Sequence, residues 1–410
     1  MKKAIVLGGT DDHLYLIEIL KSRGYYTILV DYFENPPAKA AADEHIQKST
    51  LDKEEILLLA SNLKVNLIIS ACVDQALLTA CYVAEKLDLP APFGYRTALN
   101  VTNKAYMKKR MTEADIPTAY YRVVNGIDQS DFEDLNFPVI VKPADSNGSF
   151  GVRRVSEKDD LLKYLSNAIR ISRTNNAIIE NYQQGLEVSI DVYLGDCEFD
   201  ILMVGNLRKK RIGEHVDLIF QNVIPADISK KAFSRINDIV RKIAVGFELK
   251  NTPLLVQAIV NGDDVSVIEF SPRIGGGSKH KTIQFVTGFD IVDSLVDSYL
   301  GITPKVSYNS PACYFSRNHI YAEPGIFGEV KNVDYLLQAG IIEDFNYFKA
   351  QGMEIGNNFA SKDRVGSFLV KSESLKELYE KIEIAVSGLD VFDIKGNSIM
   401  RKDVFRGDFL

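Results

Sequence analysis

The opening of the chain restricts its fold more than any other stretch. Residues 3–7, Lys-Ala-Ile-Val-Leu, read as a buried strand that runs into a tight Gly8-Gly9-Thr10 turn. From Leu14 to Arg23 the apolar residues fall at helical spacing and stop at Gly24. Residues 27–30 form a second strand ending at Asp31, residues 54–63 a helix, and residues 67–70 a third strand. This alternation predicts a parallel, doubly wound sheet, because parallel neighbours need a crossover and a helix supplies it. The proline cluster Leu89-Pro90-Ala91-Pro92 closes the unit.

At 410 residues the chain is too long for one unit, so two to four packed subdomains are expected. A hydrophobic share of 46% with 25% charged residues supplies ample material for buried cores. The net charge of -7 argues against nucleic acid, whose binding needs a concentrated basic face. The basic run Arg208-Lys209-Lys210-Arg211 reads as a solvated loop in preference to a nucleic-acid patch. Four cysteines show no CxxC spacing and no Cys/His pattern for zinc, so reduced, mostly buried thiols are expected. Gly8 to Asp12 interrupts any signal-peptide segment, and the apolar region 67–83 contains Asp74 and Gln75. No membrane span and a cytoplasmic location follow as expectations.

Further along, a helical stretch covers about residues 103–114. Residues 137–143 form a strand that enters a Gly/Ser loop at 145–151, and strands at 177–180 and 188–194 flank Gly185. Residues 254–260 and 264–270 pair as a hairpin through Asn261-Gly262-Asp263. Strands and a helix at 374–387 make a last α/β unit from about residue 305.

Several of these pieces suit phosphate chemistry. Lys142 ends a buried strand and precedes the small-residue loop containing Ser146, Gly148, Ser149 and Gly151, whose amides could approach phosphate oxygens. This is not the Walker order, in which lysine closes the loop. Glu180-Asn181-Tyr182 could present a linker to an adenine edge, with Glu187 accepting from ribose hydroxyls. Gln257 and Glu269 fall on facing arms of the hairpin, and with Ser271 they offer oxygen ligands for magnesium shared with phosphates. Arg273 would stabilise charge on a transferring phosphoryl group. Gly275, Gly276, Gly277 and Ser278 form an amide nest suited to a substrate carboxylate, with His280 and Lys281 beyond it. Each piece alone also reads blandly: a surface turn, a solvated acidic strand end, a polar hairpin face, a flexible loop or a surface histidine. Gly8-Gly9-Thr10 with Asp31 lacks the third glycine of a dinucleotide fingerprint.

Taken in order, Lys104, Lys142-Pro143, the Gly/Ser loop, Glu180 with Glu187, and Glu269-Phe270-Ser271-Pro272-Arg273 resemble the ATP-grasp superfamily. The similarity is to its carboxylate–amine (carboxylate–thiol) ligase branch, which includes biotin carboxylase, the carbamoyl phosphate synthetase large subunit, glycinamide ribonucleotide synthetase and L-amino-acid ligases. It covers essentially the whole chain. The resemblance implies an α/β (α+β) fold in four parts: a Rossmann-like preATP-grasp domain at 1–95, a first ATP-grasp subdomain at 96–185, a second at 186–305 and a C-terminal α/β domain at 306–410. It further implies that Lys104 reaches the α-phosphate with Lys142 as its partner. Ser146 to Gly151 would be the flap over the β- and γ-phosphates, Glu180 to Tyr182 the adenine linker, and Glu187 the ribose ligand. Gln257, Glu269 and Ser271 would take the metal positions and Arg273 the acyl-phosphate position. Many relatives carry glutamate at Gln257, though the carbamoyl phosphate synthetases use glutamine, and Ser271 replaces a usual asparagine. A hydroxyl reaches less far, so a second magnesium would bind more weakly.

The implied function is ATP-dependent amide formation through an acyl phosphate, releasing ADP and phosphate. Its cofactors would be ATP, as substrate, and one or two magnesium ions, with manganese able to substitute. Its partners would be a small carboxylate and an amine acceptor, with a homodimer as the prior assembly. The run from Arg208 to Arg211, with Glu214 and His215, would border the pocket of an anionic acceptor. Bicarbonate is an alternative carboxylate. A nicotinamide-dependent oxidoreductase and a non-catalytic ATP-binding regulator are the readings of other classes.

Overall fold

The computed structural model describes residues 1–126, 132, 134–213, 216–309, 312–357 and 361–407, so Glu214 and His215 lie outside the described residues. The first strand, β1 (Lys2–Leu7), buries Ala4, Ile5, Val6 and Leu7 completely, as a strand covered on both faces requires. It pairs in parallel with β2 (Tyr25–Asp31) and β4 (Leu67–Ile69), and β3 (Glu44–Gln47) extends the β2 edge. Alternate residues go to opposite faces: Ala4 and Val6 join the cluster packed by α1 (Asp12–Ser22). Ile5 and Leu7 meet α2 (Lys53–Leu63) and α3 (Asp74–Leu87) on the other face. The result is the expected parallel sheet wound on both sides, in the order β3-β2-β1-β4.

Where one helical stretch was expected near residue 103, there are two helices, α4 (Tyr95–Thr102) and α5 (Lys104–Glu113). Asn103 separates them. Its backbone leaves helical geometry, and its side chain accepts the amides of Ala105 at 3.0 Å and Tyr106 at 3.3 Å. An antiparallel sheet of four strands follows in the order β5-β8-β6-β7. Its strands are β5 (Tyr121–Val124), β6 (Val139–Pro143), β7 (Arg153–Val155) and β8 (Ala177–Asn181), backed by α6 (Lys158–Ile171).

The next strands are β9 (Leu186–Leu194), β10 (Phe199–Ile212) and β11 (Val216–Ile224), then α7 (Lys230–Gly246) and the hairpin β12 (Thr252–Asn261) with β13 (Asp264–Ser271). Ser229 caps α7 by accepting the Ala232 amide at 3.0 Å. The buried stripe Ile236, Ile239, Val240 and Ile243 presses that helix on the hairpin sheet. After α8 (Lys279–Thr287) and α9 (Ile291–Tyr299) come β14 (Tyr314–Ile320), β15 (Gly325–Lys331), α10 (Val333–Gln338) and β16 (Asp344–Tyr347). The described chain ends with β17 (Glu354–Ile355), β18 (Gly366–Ser372), α11 (Leu375–Gly388) and β19 (Asp390–Asp393). Among the described residues eight strands form one sheet, β13-β12-β9-β10-β11-β14-β18-β16, and three form a small one, β17-β15-β19. Pairing of β11 with β14 carries the large sheet across residue 305, so the last proposed unit shares a sheet with the one before it.

The basic run Arg208–Arg211 corrects the loop reading, because it lies within β10 and pairs with β11. The charges are compatible with a strand because each finds a partner. Lys209 pairs with Glu187 and Arg211 with Asp217. Arg208 donates to Gln221 at 3.3 Å, and Lys210 donates to the Arg406 carbonyl at 2.6 Å. Of the cysteines, Cys72 and Cys81 are buried, Cys313 is partly covered and Cys197 is exposed; none is in a disulfide. Among the described residues no helix is long and apolar enough to cross a membrane.

Candidate active site

One cleft opens between α3, α4, α5 and the β12–β13 hairpin. Lys104, Ser146, Gln257, Glu269, Ser271 and Arg273 line it together with Asp74. The hairpin register sets Gln257 opposite Glu269, so their side chains leave the same face. Asn103 starts α5 in such a way that Lys104 donates its backbone amide to the Ala144 carbonyl at 2.7 Å. Its Nζ reaches the Ser146 carbonyl at 2.6 Å and Glu269 Oε2 at 3.1 Å. Thus α5, the end of β6 and the end of β13 meet at one lysine.

A second cationic group lies beside it. Lys142 Nζ is 2.7 Å from Glu180 Oε1, and Lys108 Nζ is 3.0 Å from the same oxygen. All three side chains are almost completely buried. Burial would raise the Glu180 pKa, but Lys142 and Lys108 more than offset it and hold the carboxyl below its usual range. Burial pushes Lys108 down to about 8, partly opposed by Glu180. Two basic side chains thus share one carboxylate oxygen. At Glu269 burial is again outweighed, by Lys104 and Lys142, and the carboxyl stays ionised below its usual pKa.

Arg273 is held edge to edge by Asp74, with Nε to Oδ1 at 2.6 Å and Nη2 to Oδ2 at 2.7 Å. Its Nη1 donates to the Ile274 carbonyl at 2.8 Å. Three of five guanidinium N–H groups are then used, and two remain for a further anion. Ser271 Oγ donates to Asp74 Oδ1 at 2.6 Å. Burial raises the Asp74 pKa, but Arg273, Ser271 and Lys104 together hold it below the usual carboxylate range.

The Gly/Ser loop follows Lys142 directly. Ser149 (φ 62°), Gly148 (φ 58°) and Gly151 (φ 79°) take left-handed backbone conformations, and Ser146 Oγ donates to the Phe150 carbonyl at 2.9 Å. A Cβ on Gly151 would come within 2.9 Å of Pro143 Cγ and of Ile171 Cδ1. The loop tip touches the C-terminal part: the Ser361 amide donates to the Gly148 carbonyl at 3.2 Å, and Lys362 lies over the Phe150 ring at 4.5 Å.

Some expected residues have other partners. The Glu180 side chain is taken by its two lysines, and the Asn181 and Tyr182 amides donate to the Tyr120 and Pro138 carbonyls at 3.0 and 3.3 Å. The Tyr182 ring carries Arg154 at 4.5 Å. Glu187 is paired with Lys209, and burial acting against that lysine is outweighed by the carboxylate. The amide nest is filled from within: the Gly277 and Ser278 amides donate to the Asp12 carboxylate at 3.2 and 2.9 Å. His280 Nδ1 lies 3.2 Å from Asp12. Burial raises the Asp12 pKa, but the His280 hydrogen bond and charge hold it below the usual range. These two amides therefore hold the protein's own carboxylate in place of the substrate carboxylate expected of the nest. Gly275 and Gly276 lead into that turn from Arg273. Arg208 is not among the cleft-lining residues; it lies 5.1 Å over the Tyr379 ring of α11.

Asp74 and Lys108 were missed from the sequence. Lys108 had a signal, since it is four residues after Lys104 on one helix and so shares its face. Asp74 opens α3 just past the carboxyl end of β4, where open α/β sheets place ligand contacts.

The donors Gln257, Glu269 and Ser271 are all oxygen, which fits magnesium shared with phosphate oxygens. Among the described residues no group of three His, Cys, Asp or Glu side chains could hold a metal alone. At the first turn, the Gly9 amide donates to Asp31 at 2.7 Å and Asp31 also accepts the Phe33 amide at 2.8 Å. This carboxylate is occupied where a nicotinamide enzyme would need it for ribose.

The ATP-grasp domain family matches residues 135–281. The carbamoyl phosphate synthase large chain of Clostridium botulinum (strain Loch Maree / Type A3) is 23% identical over 270 residues, covering 63% of this chain. The chain spans only 24% of that relative's length. The L-amino acid ligase from Bacillus licheniformis superposes with a TM-score of 0.76 at 17% identity, covering 96% of this chain and 99% of that one. The biotin carboxylase domain of 2-oxoglutarate carboxylase from Hydrogenobacter thermophilus, in complex with MgADP, ADP and bicarbonate, gives 0.75 at 16% identity, covering 98% and 92%. Residues 135–281 therefore match the ATP-grasp domain, and the chain shares the fold of these solved structures over nearly its whole length.

Proposed function

We propose that the protein is an ATP-dependent ligase that phosphorylates a small carboxylate and joins the resulting acyl phosphate to an amine. The observation that carries this reading is that Lys104, Gln257, Glu269, Ser271 and Arg273, drawn from distant stretches of the chain, line one cleft. The Gly/Ser loop adjoins it through the Lys104–Ser146 bond, and the charge of Lys142 reaches Glu269.

In this reading the cations change partners. Lys104 leaves Glu269 for the triphosphate, and Lys142 and Lys108 approach from the side of Glu180. Magnesium, when bound, would be held by Glu269, Gln257 and Ser271 and would neutralise charge on the phosphates. Arg273, held still by Asp74, directs its two remaining N–H groups at the transferring phosphoryl group. Ser146 to Gly151 closes over the phosphates and keeps water from the acyl phosphate. Attack by the amine nitrogen on the acyl carbon breaks the carbon–oxygen bond, and phosphate leaves. Catalysis in this scheme is positioning and charge stabilisation.

ADP release over paired carboxylates and amines, with mass spectrometry of the product, tests the reading. Turnover that needs both substrates and yields an amide supports it, and no acid-dependent ADP release in any pairing sinks it. Bicarbonate is the second reading, favoured by Gln257 and by the carbamoyl phosphate synthase relative. ADP release stimulated by bicarbonate alone would select it.

A further inference from the structure

Buried polar atoms without partners gather in a seam beside the cleft. The start of α8 lies there between the N-terminal loop and the sheet face of β14, β16 and β18. Thr282 accepts from Arg317 Nε at 3.0 Å, and a Cβ on Gly277 would come within 3.2 Å of His319. Arg317 and His319 are two residues apart on β14 and so share a face. Ser367 stands opposite His319 on β18, on that same face.

Arg317 is 2% exposed, and Asp344 takes its Nη1 at 3.0 Å, yet Nη2 has no partner. His319 Nδ1, Ser367 Oγ and His280 Nε2 are likewise buried and unpaired, and so is Asp11 Oδ2 across the seam. Native interiors rarely leave such groups unmatched, and several in one place point to a ligand. The charges fall in two halves. Asp11 has no ion pair among the described residues, because Lys281, whose charge reaches it, is turned to Asn346. Arg317 offers a free N–H of a buried guanidinium. A metal ion would face Arg317 and Lys281, and an inorganic anion would face Asp11. A molecule with one charge of each sign satisfies both halves.

We propose that this seam binds an amino acid, its ammonium on Asp11 Oδ2 and its carboxylate on Arg317 Nη2. That the amino acid is the amine acceptor rests on the ligase reading above; that it binds here does not.

Isothermal titration of the full chain with the standard L-amino acids, with and without a non-hydrolysable ATP analogue, tests this. At least one should bind. Its methyl ester and its N-acetyl derivative should each bind about tenfold or more weakly, since each leaves one buried polar atom, Arg317 Nη2 or Asp11 Oδ2, without a full partner. Asp11→Asn should remove the penalty for acetylation but keep that for the ester, and Arg317→Met should do the reverse. If Arg317→Met fails to fold, the wild-type analogue series decides. No binder, or a binder indifferent to both blocking groups, overturns the proposal. Binding of the ATP analogue is read in parallel. If an amino acid binds as described while the analogue does not, the seam stands and the ligase reading fails.

Discussion

Arg273 and Asp74 meet edge to edge at 2.6 and 2.7 Å although they are 199 residues apart in the chain. This pair ties the N-terminal sheet to the end of the β12–β13 hairpin and fixes the orientation of the guanidinium. Asp74→Asn should leave that cation buried without a counter-charge. The expected cost is about 3 kcal/mol of stability, from urea unfolding, with a fall in kcat of about tenfold or more. The KM for ATP should change little, which a purely structural role would not predict. Equal changes in kcat and in KM for ATP would contradict the positioning role.

Glu269 is the single carboxylate among the expected metal ligands, and it also holds Lys104 at 3.1 Å. Glu269→Gln keeps the shape but removes the charge. ADP release should fall about a hundredfold or more, and raising magnesium should recover part of it. Full activity at ordinary magnesium would remove Glu269 from the metal site.

Lys108 gives a pH signature whose sign is fixed. Its folded pKa of about 8 lies below the usual lysine value of 10.5, so the unfolded chain binds more protons between these values. Stability from this group therefore rises with pH from about 8 toward 10.5, by up to about 1.4 kcal/mol per pH unit. Below pH 8 its burial penalty is fully present. Chemical unfolding across pH 7.5–10 should show this rise relative to Lys108→Met, and parallel curves would contradict it.

Gly185 joins β8 to β9 at φ 141°, and a Cβ there would lie 2.4 Å from the Val260 carbonyl oxygen. Because the obstacle is backbone, Gly185→Ala should cost about 2 kcal/mol or more in thermal or urea unfolding. A variant as stable as the wild type would show that the junction can shift.

The parts of this molecule written locally were legible. Strand–turn–helix alternation revealed the parallel sheet, and Lys142 before its small-residue loop, with Gln257 and Glu269 on a hairpin, marked the cleft. What could not be read were partners distant in sequence. Nothing near Asp74 names Arg273, and nothing near Asp12 shows that it fills the amides of Gly277 and Ser278. The run from Arg208 to Arg211 looked like a loop because its neutralising partners, such as Glu187 and Asp217, lie on other strands. Charge density favours solvent only while the charges are unpaired.

In the proposed ligase, the cations now paired within the cleft are exchanged onto a triphosphate. A crystal structure with magnesium and a non-hydrolysable ATP analogue tests it most directly, through the distance from Lys104 Nζ to Glu269, now 3.1 Å. That contact should open, with Lys104 on phosphate oxygen and the metal on Glu269 and Gln257. A bound nucleotide that leaves the Lys104–Glu269 pair intact, or that binds outside this cleft, would contradict it.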